Sequence, residues 1–217
     1  MLDGSGAAGA GARNHAMNRD NLAALYRERL RSEAVFSEEP GPWNLPELAD
    51  LLDATQLHDA AVICGLIERP EGVHVLLTQR QTGLKNHGGQ VSFPGGRIDP
   101  GETPLAAAQR EAFEEIGLPA EQIEPLGWLE PYATITNYRV LPLVARIHPP
   151  YLWRPSNVEV AAVFEAPLAL FLSTEHARIE QRHFRGRLRS TYVVEHAGYR
   201  IWGATAAMLL RFGSQLR

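Results

Sequence analysis

The segment GRIDPGETPLAAAQREAFEEIGL, residues 96–118, is the most informative part of the sequence. It begins with a glycine-containing loop, continues as an alanine-rich run and ends at Gly117, a residue type that often terminates helices. The spacing predicts an α-helix from Pro104 to Ile116. Thr103 is expected to be its N-cap, and Pro104 occupies the first helical position, where the missing N–H costs nothing.

The acidic residues of this segment form a cluster whose mutual repulsion a bound cation would remove. Four glutamates are present: Glu102, Glu111, Glu114 and Glu115. On a helix, Glu111 stands one turn from both Glu114 and Glu115, so their carboxylates gather on one side and repel each other. A divalent ion removes this repulsion, and Mg²⁺, which prefers oxygen ligands, commonly accompanies phosphate substrates. The alternative is a solvated acidic helix face.

The fixed positions follow one pattern: Gly96, five residues, Glu102, seven residues, then Arg110-Glu111-Ala112-Phe113-Glu114-Glu115-Ile116-Gly117-Leu118. This pattern resembles the signature of the Nudix hydrolases, which cleave nucleoside diphosphates linked to another moiety. Only Ala112 differs, because the family usually has a larger aliphatic residue there. The resemblance implies an α/β (α+β) fold in which a mixed, curved β-sheet is sandwiched between α-helices.

The resemblance also implies a role for each polar residue of the signature. Three glutamates are expected to bind Mg²⁺ or Mn²⁺ and to act in catalysis: Glu111, Glu114 and Glu115. The Gly96 carbonyl is expected to be a further metal ligand. Arg110 is expected to pair with Glu102 and so to hold the loop against the helix. Which residue acts as the general base stays open.

A second motif precedes the signature: LLTQRQTGLKNHGGQVSFPGG, residues 76–96. It resembles the extra motif of the coenzyme A diphosphatase branch of the Nudix family. Gln81 stands where this branch usually has a small residue, and Lys85 stands where it has arginine, which loses the bidentate fork for phosphate. Five residues are expected to bind the substrate: Arg80, Lys85, His87, Gly95 and Gly96.

The C-terminal run Trp202-Gly203-Ala204-Thr205 resembles the same branch, so the resemblance extends from about residue 60 to residue 210. Trp202 and Met208 are interpreted as core residues. Glu159 falls where the family tends to place an acidic residue near the site. It is either a further metal ligand or base, or an ordinary glutamate at a strand edge.

The branch implies a specific reaction, the hydrolysis of coenzyme A or acyl-coenzyme A to 3′,5′-ADP and 4′-phosphopantetheine or its acyl form. Two alternatives stay open. The enzyme could hydrolyse another nucleoside diphosphate derivative such as ADP-ribose or NADH, because the signature defines the chemistry and not the substrate. The chain could also be a binding module that keeps the Nudix fold without catalysis.

Composition and charge limit the possible partners. The net charge of −4 gives no electrostatic footprint for binding nucleic acid, and no apolar stretch is long enough to span a membrane. Cys64 is the one cysteine, so an intramolecular disulfide is excluded. The expected partner is a small-molecule substrate, coenzyme A or a related nucleotide, and the expected location is the cytoplasm.

The remaining patterns predict the organisation of the chain. Residues 1–16, rich in glycine and alanine, are expected to be a disordered tail, and residues 17–217 a single Nudix domain with an N-terminal helical extension. That extension begins near Asn21. Strands are expected in runs, including a hairpin around Pro70-Glu71-Gly72. Pro142 suggests an edge or a bulge in its strand.

Overall fold

A computed structural model describes residues 30–32, 41–83 and 87–217. The predicted tail of residues 1–16 lies outside the described residues. The same is true of the helical extension that is predicted to begin near Asn21, apart from its last residues, and of Lys85.

The larger of two described β-sheets is mixed and has eight strands: β1 (His58–Arg69), β2 (Gly72–Arg80), β3 (Val91–Ser92), β4 (Gly95–Arg97), β5 (Ile123–Trp128), β6 (Tyr132–Ala133), β7 (Tyr138–Ile147) and β8 (Val160–Pro167). Strand β1 pairs in parallel with β7, and it pairs antiparallel with β2 and β4. The other pairs are antiparallel: β2 with β3 and β8, and β7 with β5 and β6.

Strand β1 is central because its side chains are apolar on both faces. Ile63 and Ile67 pack into one core cluster, whereas Cys64 and Leu66 pack into the other. Alternate residues of a strand point to opposite faces, so an uninterrupted apolar run suits a strand that is covered on both sides. The predicted hairpin is confirmed: β1 and β2 pair antiparallel up to Arg69 and Gly72.

The expectation for Pro142 is wrong. It lies inside β7, which runs between β1 and the β5–β6 side of the sheet. Its position explains why proline is tolerated there. Leu143 still pairs with Trp128 of β5, whereas Val140 already pairs with Tyr132 of β6, so Pro142 stands where one neighbouring strand gives way to the next.

Helix α1 (Pro104–Ile116) has the predicted bounds. The Thr103 side chain accepts a hydrogen bond from the Ala106 N–H at 3.2 Å, which confirms the N-cap. Gly117 ends the helix with φ of 69°, a left-handed conformation that glycine adopts without strain. Its buried face is made of small residues and Ile116, which pack beside Ile63.

The other face of the larger sheet is covered by the C-terminal part of the chain. A smaller antiparallel sheet is formed by β9 (Ala177–Phe184), β10 (Arg187–His196) and β11 (Tyr199–Trp202), and it leads into helix α2 (Gly203–Gln215). Leu209 and Phe212 of α2 are fully buried in the cluster that contains Cys64. The predicted mixed sheet between helices is therefore confirmed. No helix within the described ranges has the length and apolar character needed to cross a membrane.

Helix α2 approaches a short 3₁₀ helix (Leu168–Phe171) so closely that only glycine fits at the contact. A Cβ atom on Gly213 would lie 1.9 Å from the carbonyl oxygen of Phe171. Because backbone cannot move aside cheaply, we expect Gly213→Ala to lower the free energy of unfolding by about 1–3 kcal/mol. For a chain of this size that corresponds to roughly 2–4 °C in Tm per kcal/mol.

Thermal unfolding measures this effect, and Gly83→Ala is the matched control. A Cβ atom on Gly83 meets nothing within 4 Å. Equal Tm values for the two variants would contradict the close packing of α2.

Candidate active site

The site forms where helix α1 faces the backbone of strand β4. A Cβ atom on Gly96 would lie 2.5 Å from the carboxyl carbon of Glu111. A Cβ atom on Gly95 would lie 2.4 Å from the carbonyl oxygen of Ala61, and Gly95 also has φ of 144°. Neither position has room for a side chain, so the carboxylates of α1 approach the main chain of β4 directly.

Glu115 is the most deeply buried of the predicted site residues, with only 4% of its surface exposed. Its Oε2 accepts a hydrogen bond from the Gly95 N–H at 3.1 Å, and Arg80 Nη1 lies 3.6 Å from its Oε1. Burial raises the pKa of Glu115 to about 7, and the nearby charges of Glu111 and Glu159 add to the increase. The hydrogen bond from Gly95 and the charge of Arg80 oppose this rise without cancelling it.

Arg110 makes the expected pair with Glu102 and also contacts the helix acids. Its Nε and Nη2 donate to the two oxygens of Glu102 at 2.9 and 3.0 Å. Its Nη1 donates to Glu111 Oε1 at 2.9 Å and to Glu114 Oε2 at 3.4 Å. The hydrogen bonds from Arg110 hold the pKa of Glu102 below its usual range. One guanidinium group therefore fixes the loop against the helix and compensates part of the negative charge.

The structure brings some of the predicted metal ligands together and not others. Glu111 and Glu115 both face the backbone of Gly95 and Gly96, whereas the Glu114 side chain is 58% exposed. Within the ranges that the structure describes, no group of three His, Cys, Asp or Glu residues stands close enough to hold a metal ion. The metal roles of these glutamates and of Gly96 therefore stay predictions.

Glu159 lies near the site but outside any strand, immediately before β8. Its carbonyl oxygen accepts a hydrogen bond from the Gln81 N–H at 2.8 Å, which ties it to the end of β2. Its side chain is exposed, and its charge contributes to the raised pKa of Glu115. The choice between a ligand or base and an ordinary surface glutamate therefore stays open, although the position near Glu115 is established.

A cavity of about 990 Å³ extends from this site to the smaller sheet. Arg80, Gly95 and Gly96 line the end near α1, and His87 lines the wall, where its Nδ1 is 2.9 Å from Gln90 Oε1. The β9–β10 hairpin lines the other end with Arg182, His183, Phe184, Leu188 and Arg189. The sequence did not indicate that these hairpin residues belong to the site, because they carry no motif and reach the cavity only through the fold.

Trp202 corrects the expectation that it is a core residue. It is half-buried and lines the cavity, and the guanidinium carbon of Arg182 lies 4.6 Å from its ring centroid. Met208 also lines the cavity, but its side chain is buried as expected, with 5% exposed. The tryptophan therefore forms part of a wall and not of the core.

The raised pKa of Glu115 leads to a prediction about stability. A carboxyl group whose folded pKa is about 7 instead of 4.5 resists ionisation in the folded state, so its contribution to stability is lost as the pH rises through that range. With divalent ions removed by a chelator, we expect Glu115→Gln to gain stability over the wild type between about pH 5 and about pH 8, by on the order of 1–3 kcal/mol.

Chemical unfolding at a series of pH values measures this difference. The exposed Glu121→Gln is the control and should follow the wild type at every pH. A difference between Glu115→Gln and the wild type that does not change with pH would contradict the assignment of burial as the cause.

Comparisons with known proteins agree with the fold and the signature. A model of the NUDIX domain matches residues 57–176. A relative from Salmonella paratyphi B, the uncharacterized Nudix hydrolase NudL, is 39% identical over 158 residues, which cover 72% of this chain and 82% of the relative. The NudL relative from Salmonella newport matches to the same extent.

Among solved structures, the Nudix hydrolase RenU from M. smegmatis gives a TM-score of 0.45 at 30% identity, over 52% of this chain and 72% of that one. The chain belongs to the Nudix family and is a pyrophosphohydrolase, which acts on a diphosphate bond.

Proposed function

We propose that this pyrophosphohydrolase cleaves the diphosphate bond of coenzyme A and acyl-coenzyme A. The products are 3′,5′-ADP and 4′-phosphopantetheine or its acyl form. The supporting observation is the course of the second motif, residues 76–96. Its described part runs along the cavity and ends at Gly95 and Gly96, and its Arg80 lies 3.6 Å from Glu115. The residues that resemble the coenzyme A branch thus line the same cavity as Gly96, the first residue of the signature.

The donors at α1 are carboxylate and carbonyl oxygens, the ligand type that a hard divalent cation such as Mg²⁺ or Mn²⁺ prefers. Glu111 and Glu115 would hold it together with the Gly96 carbonyl, and Glu114 would be a further ligand. Burial raises the pKa of Glu115 to about 7, and a cation bound beside it would favour its ionised form. When bound, the ion would neutralise the diphosphate and favour attack by water.

We expect Arg80 to orient the diphosphate at this end of the cavity. Its side chain is 29% exposed and lines the cavity, and its Nη1 is within ion-pair distance of Glu115. A guanidinium group binds phosphate oxygens through two parallel hydrogen bonds. His87 lines the same cavity and would add a further hydrogen-bond donor. Lys85, two residues before His87 in the sequence, is proposed to add a positive charge.

Arg110 is proposed to be a positioning residue. It holds Glu102 and Glu111 at 2.9 Å each, so it connects the loop before α1 to the first of the metal-binding carboxylates. Its removal would take away the hydrogen bond that Glu111 Oε1 accepts, so the Glu111 carboxylate would change rotamer more easily. The proposed role is therefore to fix ligand geometry and not to contact the substrate.

The size and lining of the cavity suit a substrate that is larger than a simple nucleotide. At about 990 Å³ it is at the upper end of the range for small-molecule sites. Apolar side chains form part of its lining, among them Val62, Phe93, Val140, Phe184 and Leu188. A substrate that has uncharged as well as charged parts, such as coenzyme A with its adenine ring and its pantetheine arm, has a matching surface there.

Product analysis tests the proposed substrate. We expect incubation with coenzyme A and Mg²⁺ to give 3′,5′-ADP and 4′-phosphopantetheine, identified by mass spectrometry, with a higher kcat/KM than for ADP-ribose or NADH. Cleavage of ADP-ribose or NADH with no cleavage of coenzyme A would contradict the proposal and support another nucleoside diphosphate derivative.

Substitution of the helix acids tests the metal role. We expect Glu111→Gln, Glu114→Gln and Glu115→Gln each to lower kcat by about 100-fold or more, because each would remove a charge that holds the cation. Glu121→Gln, outside the site, is the control and should keep the wild-type rate. Near-normal turnover in the three site variants, with Tm unchanged, would contradict the assignment.

A further inference from the structure

Two arginines at directly opposite positions of the β9–β10 hairpin line the end of the cavity away from α1. Arg182 of β9 and Arg189 of β10 are direct cross-strand partners, and both line the cavity. Like charges placed directly opposite each other in a sheet are destabilising. The pair therefore needs negative charge close by.

The carboxylates near this face of the smaller sheet balance only part of its positive charge. Five arginines share three acidic residues here: Arg178, Arg182 and Arg200 contact Glu180, Arg178 also contacts Glu195, and Arg187 and Arg189 contact Asp50. The lining of the whole cavity shows the same imbalance, with four arginines and one glutamate, whereas the chain as a whole carries a net charge of −4.

The two arginines are held in different ways. Arg189 Nη2 donates to both oxygens of Asp50 at 2.8 and 2.7 Å, and its Nη1 donates to the Glu47 carbonyl at 3.0 Å. Arg182 lies over the ring of Trp202, and its closest carboxylate oxygen, on Glu180, is 3.6 Å away. Its side chain is 51% exposed. Stacking leaves the hydrogen-bond donors of Arg182 available for a ligand.

Unpaired donors point to the same conclusion. Within the described part of the chain, two buried side-chain nitrogen atoms lack a hydrogen-bond partner: Arg80 Nε and Arg189 Nε. A buried donor without a partner is costly and rare in folded proteins. Both belong to arginines that line this cavity, one beside Glu115 and one on the hairpin. Each end of the cavity therefore has an arginine with one unpaired hydrogen-bond donor.

We propose that Arg182 and Arg189 form a second anion subsite, which binds a phosphate monoester on the ribose of the nucleotide substrate. The diphosphate lies at the Arg80 end, as in the proposed function on which this inference rests. Guanidinium groups suit a phosphate because their N–H donors match its oxygens in pairs. Trp202 and Asp50 are positioning residues that hold the two guanidinium groups in place.

Binding of product-like nucleotides tests the subsite without any turnover. Isothermal titration without metal compares three ligands: adenosine 3′,5′-bisphosphate, adenosine 2′,5′-bisphosphate and AMP, which lacks the second phosphate. We expect the wild type to bind at least one bisphosphate about tenfold tighter than AMP, the effect of a charge-assisted hydrogen bond. Arg182→Ala should reduce this ratio to roughly twofold or less.

The control variant is Arg185→Ala. Arg185 lies in the turn of the same hairpin and does not line the cavity, so the substitution removes the same charge outside the subsite. It should keep the wild-type ratio. An equal loss of the affinity ratio in both variants would show an effect of long-range electrostatics alone and would overturn the proposal. A wild type that binds AMP as tightly as both bisphosphates would also overturn it.

The comparison of the two bisphosphates, together with a kinetic measurement, distinguishes a failure of the inference from a failure of the proposed function. A preference for either bisphosphate supports the subsite and identifies the ribose hydroxyl that carries the phosphate. With coenzyme A as substrate, Arg182→Ala should raise KM several-fold and leave KM for 3′-dephospho-coenzyme A unchanged. If the wild type cleaves neither compound, the proposed function fails while the binding experiment still decides the subsite.

Discussion

The site depends on the absence of side chains at Gly95 and Gly96. These residues form strand β4, which pairs with β1 at the centre of the larger sheet, and helix α1 rests against them. Any larger residue would collide with Ala61 on one side or with the Glu111 carboxylate on the other. Because the helix can come this close, the Glu115 side chain is buried, and its burial raises its pKa to about 7. Its carboxylate accepts a hydrogen bond from the Gly95 N–H.

Charge balance explains why the crowded acids of α1 are tolerated. Sequence reasoning assigned the compensation to a divalent ion, but Arg110 and Arg80 already supply two positive charges within 4 Å of the carboxylates. The fold therefore does not need a metal ion to hold Glu102 and Glu111 in place. Burial disfavours the ionised form of Glu115, and a cation that binds beside it together with the substrate would favour that form.

Local signals made part of this structure predictable. Thr103, Pro104 and Gly117 defined the ends of α1 because caps act within a few residues, and the Pro70-Glu71-Gly72 turn identified the β1–β2 hairpin. Arg110 and Glu102 were paired correctly because the signature implied it. Pro142 was misplaced because its tolerance depends on where β5 gives way to β6, which no local pattern records.

The far wall of the cavity could not be predicted for the same reason. Arg182 and Arg189 are ordinary charged residues in sequence, and they become opposite partners only through the register of β9 and β10. Trp202 was taken for a core residue because an aromatic side chain beside a helix usually is one. In the fold it supports a guanidinium group at the edge of the cavity. The chemistry of the helix was thus encoded locally, whereas the shape of the space around it was not.

The most direct test of the central claim is the binding of Mn²⁺, followed by the loss of its solution electron paramagnetic resonance signal. The wild type is predicted to take up Mn²⁺, and the variant that combines Glu111→Gln with Glu115→Gln is predicted to take up far less while remaining folded at the temperature of the measurement. Equal uptake by the two proteins would contradict the account.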